Sequence, residues 1–186
     1  MDKPSSPREP LIFFNEADAA IIEAATARIF PSDELGPGAR EAGVVIYLDR
    51  ALAGPYAKLA DTYRIIVRGL DEASRFFNKQ GFAELAVDGQ DALLTAIEHG
   101  SLTRFGLQPA HLELLVKHTR EGMFSDPAYG GNRNLVGWKL LGYPGVHRDW
   151  THEEEQIGAT IRLRPLTTLT DDRFGIALPA ADEEPS

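Results

Sequence analysis

Two groups of histidines and carboxylates have the residue types needed for metal binding or acid–base chemistry. In the first, His111 and His118 lie seven residues apart, and Glu121 and Asp126 follow them. Imidazole and carboxylate groups bind metals and transfer protons. On one helix, however, seven residues are two turns, or about 10 Å along the axis, which is too far for both rings to bind one ion. We therefore interpret these histidines as partly buried, hydrogen-bonded side chains.

The second group consists of His147, Asp149 and His152, in a part of the sequence without helical periodicity. A loop can bring such ligands together, but the pattern is short and common. We interpret it as polar surface or as a contact with a partner. Use of this group, or of His118 with Glu121, for metal binding or acid–base catalysis remains the alternative, in which the chain is a small self-sufficient enzyme.

Other catalytic patterns are missing from the sequence. Gly130-Gly131-Asn132 is glycine-rich, but it matches neither the P-loop nor the dinucleotide-binding fingerprint. The chain has no G-x-S-x-G nucleophile elbow, and because it has no cysteine it has no thiolate site. We predict no catalytic, cofactor-binding or metal-binding residue on this chain.

Composition narrows the class of protein further. The chain has 186 residues, of which 43% are hydrophobic and 25% are charged, as in ordinary globular domains. Its net charge of −9 opposes nucleic-acid binding, which depends on lysine and arginine neutralising phosphates. No apolar run approaches the ~18 residues of a membrane span, so we predict none.

Apolar periodicity predicts an all-α protein, with one bundle-like domain of five or six helices and an irregular tail. Asn15 is expected to cap the first helix, with Asp18 completing the cap. The predicted boundaries are a flexible arm at 1–12, the helical domain at 13–146 and a partner-wrapping tail at 147–186. The predicted helices cover about residues 15–30, 39–53, 55–80, 88–99, 108–122 and 134–142. The third carries a seven-residue apolar repeat made of Tyr56, Leu59, Tyr63, Ile66, Leu70, Ala73 and Phe77.

The region 118–145, called here the glycine–aromatic segment, concentrates glycine, proline and aromatic residues between helical patterns. We predict a rigid turn–helix–turn, with Asn134 capping a short helix and a type II turn at 143–146. Its shape favours docking of a partner, and Gly131→Val is then expected to weaken assembly more than it weakens the fold. The predicted interface residues are Asp126, Tyr129, Gly130, Gly131, Asn132, Trp138, Tyr143 and Pro144.

Two stretches resemble the gluconate 2-dehydrogenase subunit 3 family. Residues 29–52 are similar in their Phe-Pro, Pro-Gly-Ala and Glu-Ala-Gly elements and in Asp49. The glycine–aromatic segment is similar in Glu121-Gly122, Asp126-Pro127, Tyr129-Gly130-Gly131-Asn132, Gly137-Trp138 and Gly142-Tyr143-Pro144-Gly145. The likeness extends over about residues 13–145.

This resemblance implies a non-catalytic accessory subunit of a heterodimer that supports the folding, stability or export of a flavoprotein. The expected partner is a large FAD-binding subunit of the glucose–methanol–choline oxidoreductase family that oxidises a sugar or glycoside. A further electron-transfer subunit is a second expected partner. Family members often carry a twin-arginine export signal, but residues 1–12 contain none. We therefore expect a cytoplasmic complex, or a periplasmic one if the signal was removed or lies on the partner.

Overall fold

The computed structural model describes residues 10–143, 152–159 and 167–170, and these residues form helices and turns without a strand. The prediction of one all-α domain is confirmed. No helix in the described part is long and apolar enough to cross a bilayer. The six helices are α1 (Glu16–Ile29), α2 (Val44–Ala53), α3 (Ala60–Asn78), α4 (Val87–Glu98), α5 (Pro109–Phe124) and α6 (Val136–Leu141).

The start of α1 is the one predicted from the sequence. The side chain of Asn15 accepts a hydrogen bond from the backbone N–H of Asp18 at 2.9 Å, and its amide donates to the Asp18 carboxylate at 2.9 Å. The Asn15 side chain thus caps the first turn, as its sequence predicts, and the Asp18 carboxylate holds that side chain in place. The buried side of α1, which includes Ile22, packs against α2, α3, α4 and α5.

The apolar repeat of α3 enters the core over most of its length. Tyr63, Ile66 and Leu70 are fully buried. At the C-terminal end the predicted burial is wrong, because Phe77, the last residue of the repeat, is 55% exposed. Its neighbour Phe76 is 51% exposed. These rings lie past the end of the core and pack edge-on against each other, with the Arg104 guanidinium 3.8 Å above the centre of the Phe76 ring. The cation–aromatic contact stabilises a surface cluster instead of the interior.

Three other helix starts differ from the predictions. Residues before Val44 form turns, because Gly43 adopts a left-handed φ of 69° and α2 cannot begin before it. A 3₁₀ turn at Ala57–Leu59 precedes α3. The N-cap of α4 is Ala86, so the helix begins at Val87, one residue before the predicted start at Asp88. In each case a backbone turn, which periodicity does not reveal, decides where the helix begins.

A buried carboxylate ties the residues before α1 to α2. Asp49 is 1% exposed and accepts hydrogen bonds from the backbone N–H groups of Ile12, Phe13 and Phe14 at 2.7, 2.9 and 2.8 Å. Charge-assisted hydrogen bonds of this kind are about twice as strong as neutral ones. Asp49 therefore fixes the chain where it enters α1.

One point of the predicted tail folds back on the domain. The backbone N–H of Leu169 donates to the Asp126 carboxylate at 2.8 Å. Wrapping of residues 147–186 around a partner stays a prediction. Residues 144–151, which include Pro144, His147, Asp149 and most of the predicted 143–146 turn, lie outside the described residues.

We predict that Asp49→Ala lowers the free energy of unfolding by about 3 kcal/mol, because three backbone donors lose a charged acceptor. Chemical denaturation of both proteins measures the change. Asp61→Ala is the matched control, since the Asp61 side chain is 90% exposed in its pair with Arg64 and should cost less than about 0.5 kcal/mol. Equal stability of Asp49→Ala and the wild type would show that the carboxylate does not hold the N-terminal residues.

Candidate functional site

The C-terminal half of α5 places His118 and Glu121 on one face, three residues apart, toward α2 and α3. His118 is fully buried, and its ring lies nearly parallel to those of Tyr56 and Tyr63. The ring centres are 4.7 Å and 5.9 Å from that of His118. Three segments of the chain therefore meet at a stack of aromatic rings.

Burial lowers the pKa of His118, although the negative charge of Glu121 opposes the shift. The imidazole is therefore neutral near pH 7. Its Nδ1 atom lies 2.8 Å from the Tyr63 hydroxyl, whose own pKa is raised by burial. Because Nε2 lies 4.0 Å from a carboxylate oxygen of Glu121, electrostatics favours the tautomer with the proton on Nε2 and with Nδ1 accepting from Tyr63.

Glu121 is the point on which the polar groups of this site converge. The hydroxyls of Tyr47 and Tyr56 both donate to its Oε2 atom, at 3.1 and 2.9 Å. The hydrogen bond to Glu121 raises the pKa of Tyr56, and burial raises that of Tyr47. Both phenols thus stay protonated as donors. The other carboxylate oxygen lies 3.8 Å from the Lys117 ammonium group.

A cleft opens beside Glu121, between α2, the C-terminal end of α5 and the turn that follows it. Its volume is about 640 Å³, within the range of small-molecule and side-chain pockets. We call it the Glu121 cleft. Its lining includes Tyr47, Ala51, Tyr56, Phe124, Ala128 and Tyr129.

The accessible chemistry of this site belongs to Glu121 and not to His118. The imidazole is fully buried, and its Nε2 has no hydrogen-bond partner in the part of the chain that the structure describes, whereas the Glu121 side chain is 29% exposed. His111 is half-buried, and its Nδ1 accepts from the backbone N–H of Gln108 at the start of α5. In the described residues, no three histidine, aspartate or glutamate side chains are close enough to hold a metal ion, and of the second predicted group only the exposed His152 is described.

The glycine–aromatic segment closes the C-terminal end of α5, where backbone carbonyls have no partner within the helix. The N–H of Asn132 donates to the Gly122 carbonyl at 2.8 Å, and its side-chain amide donates to the Ser125 carbonyl at 2.9 Å. The indole N–H of Trp138 donates to the Phe124 carbonyl at 2.8 Å. The segment is therefore part of the architecture of α5.

The prediction that Asn134 caps α6 is wrong, because the N-cap residue is Leu135 and the side chain of Asn132 satisfies the first turn of the helix. The Oδ1 atom of Asn132 accepts from the N–H groups of Gly137 and Trp138 at 2.9 and 3.4 Å. Asn134 and Leu135 have left-handed φ angles of 56° and 60° and make no side-chain cap. Such angles are costly for leucine, and the surrounding hydrogen bonds must hold them.

Some of the predicted interface residues are exposed in the structure, and others are buried. Tyr129 and Tyr143 are 56% and 43% exposed. Asp126, Asn132 and Trp138 are buried, and Gly130 is also buried, with a φ of 96°. Which of these residues touches a partner stays a prediction.

Sequence reasoning missed the convergence on Glu121. Tyr56 and Tyr63 are seven residues apart and fit the apolar stripe of the third predicted helix, while Tyr47 belongs to no sequence motif. The only signal was the presence of hydroxyls within that stripe, because a buried phenol needs a hydrogen-bond partner. The identity of that partner depends on how α2, α3 and α5 pack.

Comparison with known proteins places this architecture in a family. Residues 16–145 match the family model of gluconate 2-dehydrogenase subunit 3. The chain belongs to this family. The match spans all six helices and the described part of the glycine–aromatic segment, so the resemblance noted in the sequence is confirmed. No curated protein and no solved structure matches the chain.

Membership in the gluconate 2-dehydrogenase subunit 3 family indicates that the chain is a subunit of a multi-subunit dehydrogenase. The matched region includes the Asp49 carboxylate that binds the residues before α1, the Glu121 cleft and the residues that close the C-terminal end of α5. The family description does not by itself assign a role to any of these residues.

The close approach at Gly131 reverses the expectation that its substitution affects assembly first. A Cβ at this position would lie 2.2 Å from the carbonyl oxygen of Gly122. We predict that Gly131→Ala lowers the free energy of unfolding by about 3 kcal/mol, since the backbone must move apart. In the control Gly89→Ala, the added carbon lies 3.4 Å from Leu85, and the change should stay below about 1 kcal/mol. Equal melting temperatures of Gly131→Ala and Gly89→Ala would contradict the close packing of Gly131 against Gly122.

A second prediction concerns the pH dependence of stability. The folded protein holds the pKa of His118 below its ordinary value of 6.5. As the pH falls through 6.5, the unfolded chain binds a proton that the folded chain does not, so stability decreases. We expect the free energy of unfolding to depend less on pH between about 5 and 6.5 in His118→Gln than in the wild type. Identical slopes in urea titrations across this range would contradict a neutral buried imidazole.

Proposed function

We propose that this chain is the non-catalytic small subunit of an FAD-dependent sugar or glycoside dehydrogenase. Its partner would be a large subunit of the glucose–methanol–choline oxidoreductase family. The observation that carries this proposal is the family match over residues 16–145, which indicates a dehydrogenase subunit. The small subunit would stabilise the large one, and the large one would perform the oxidation.

The fold supports placing the flavin on the partner. Proteins that hold a dinucleotide in a Rossmann-type fold bind its pyrophosphate where a parallel βαβ unit meets a helix N-terminus. The described residues of this chain form helices and contain no such unit. They therefore do not fit FAD in this manner, and on the proposal its chemistry stays with the large subunit.

An exposed apolar surface on the glycine–aromatic segment supports docking. Leu141 is 63% exposed and lines a shallow cleft together with the exposed ring of Tyr143. Contiguous exposed apolar side chains often mark protein interfaces. The buried Trp138 packs against the inner side of this surface, and its ring centre lies 4.9 Å from that of Tyr143. The hydrogen bonds that close α5 keep the surface in one shape, which reduces the entropy lost on binding.

The test is to produce the large flavoprotein subunit with and without this chain. We expect soluble, flavin-loaded and active large subunit only when both are present, because the proposed role is to stabilise that subunit. Yellow flavin absorbance in the co-purified complex and dehydrogenase activity provide the measurements. A large subunit that is soluble, flavin-loaded and fully active by itself would contradict the proposal.

Two matched variants locate the surface within the same experiment. Leu141→Asp puts a charge on the exposed apolar surface and should reduce co-purification at least about tenfold. Phe77→Asp on α3 changes a side chain of similar exposure, 55%, outside the glycine–aromatic segment, and should leave co-purification unchanged. The reverse pattern would place the interface at the end of α3.

A further inference from the structure

We propose that the Glu121 cleft receives an arginine side chain of the large subunit. The aliphatic stem would lie on the apolar walls, and the guanidinium would bind the carboxylate of Glu121. This inference rests on the proposed function for the identity of the partner. It adds the site, the chemistry of the inserted group and the residue that recognises it.

The walls of the cleft fit the stem and the planar head of arginine. Ala51, Phe124 and Ala128 provide apolar contacts, and the rings of Tyr47 and Tyr129 add aromatic surface. A volume of about 640 Å³ is large enough for one long side chain together with neighbouring partner atoms. Guanidinium groups stack on aromatic rings and donate in-plane hydrogen bonds at the same time.

The polar end of the cleft is an oriented acceptor. Glu121 Oε2 already accepts from the hydroxyls of Tyr47 and Tyr56, which fix the carboxylate in position. Among the described residues, the Lys117 ammonium group at 3.8 Å is the nearest donor to Glu121 Oε1, so this oxygen can accept a hydrogen bond from the incoming group. A carboxylate held by neighbours loses less entropy when it binds a cation.

Two cations near the cleft are compatible with this occupant. Lys117 is 67% exposed and four residues before Glu121, and such surface pairs contribute only about 0.5 kcal/mol. An arginine held between the aromatic walls of the cleft can replace Lys117 as the cation paired with Glu121. Arg50 also lines the cleft, but it packs against Gly130 and already interacts within the fold. The net charge of −9 favours approach of a basic partner surface.

The first arm of the test uses the full chain alone and a probe of the arginine side chain. N-butylguanidinium is titrated against the protein by NMR, with the neutral N-butylurea as a control of the same shape. We expect the amide signals of Ala128 and Tyr129 to shift, with the guanidinium binding about fivefold more tightly than the urea. Glu121→Gln should remove this preference. Equal binding of the two probes to the wild type would overturn recognition by charge.

The second arm uses the complex with the flavoprotein. Glu121→Gln should weaken the complex about tenfold and reduce its dependence on salt, because it removes one charge pair. Ala128→Phe fills the cleft without changing Glu121, so it keeps the test valid if Glu121→Gln fails to fold, and should weaken the complex by a similar factor. Unchanged affinity in folded Ala128→Phe would overturn the inference.

Failures of the two proposals can be told apart. If the wild-type chain does not bind the flavoprotein, the proposed function fails, and the N-butylguanidinium titration still decides whether the Glu121 cleft binds a guanidinium. If the flavoprotein binds the wild type and the cleft variants equally, the proposed function stands and the assignment of the cleft is wrong.

Discussion

The structure depends on how the C-terminal end of α5 is closed. A helix ends with carbonyl groups that lack partners, and leaving them buried and unpaired costs free energy. Here Asn132 and Trp138 satisfy the carbonyls of Gly122, Phe124 and Ser125. This closure requires residues without a Cβ where the backbones touch, and left-handed angles where the chain reverses. The unusual composition of the glycine–aromatic segment is therefore explained first by the end of a helix, and only then by any partner.

The same closure links the fold to the candidate site. It holds the last turn of α5 against α2, where Glu121 meets the hydroxyls of Tyr47 and Tyr56. It also sets the turn carrying Ala128 and Tyr129, which forms one wall of the Glu121 cleft. One segment thus gives structural support and, on the proposed function, also docks the partner. Its inward side chains stabilise α5, and its outward side chains remain available for the assembly that its family indicates.

Sequence reasoning predicted what local patterns determine. The Asn15 cap and the buried stripe of α3 follow from residues close in the chain, and both are present. The predictions from the sequence were wrong where tertiary contacts override the local preference of a residue. Asn134 precedes a helical pattern and has the right chemistry for a cap, but the N-cap residue is Leu135, and the backbone turn brings the side chain of Asn132 to the first turn of the helix. The convergence on Glu121 joins residues 65 and 74 positions apart, a relation that helical periodicity does not contain. The role of Asp49 as an acceptor for the N-terminal residues was likewise not predicted.

The central claim is that the glycine–aromatic segment is built into the subunit before any partner binds. Amide hydrogen exchange of the free chain and of its complex with the flavoprotein tests this most directly. We predict that the amides of Asn132, Gly137 and Trp138 are protected in the free chain as strongly as those in the middle of α5, and that binding changes their protection little. Rapid exchange of these amides in the free chain, with protection appearing only in the complex, would contradict it.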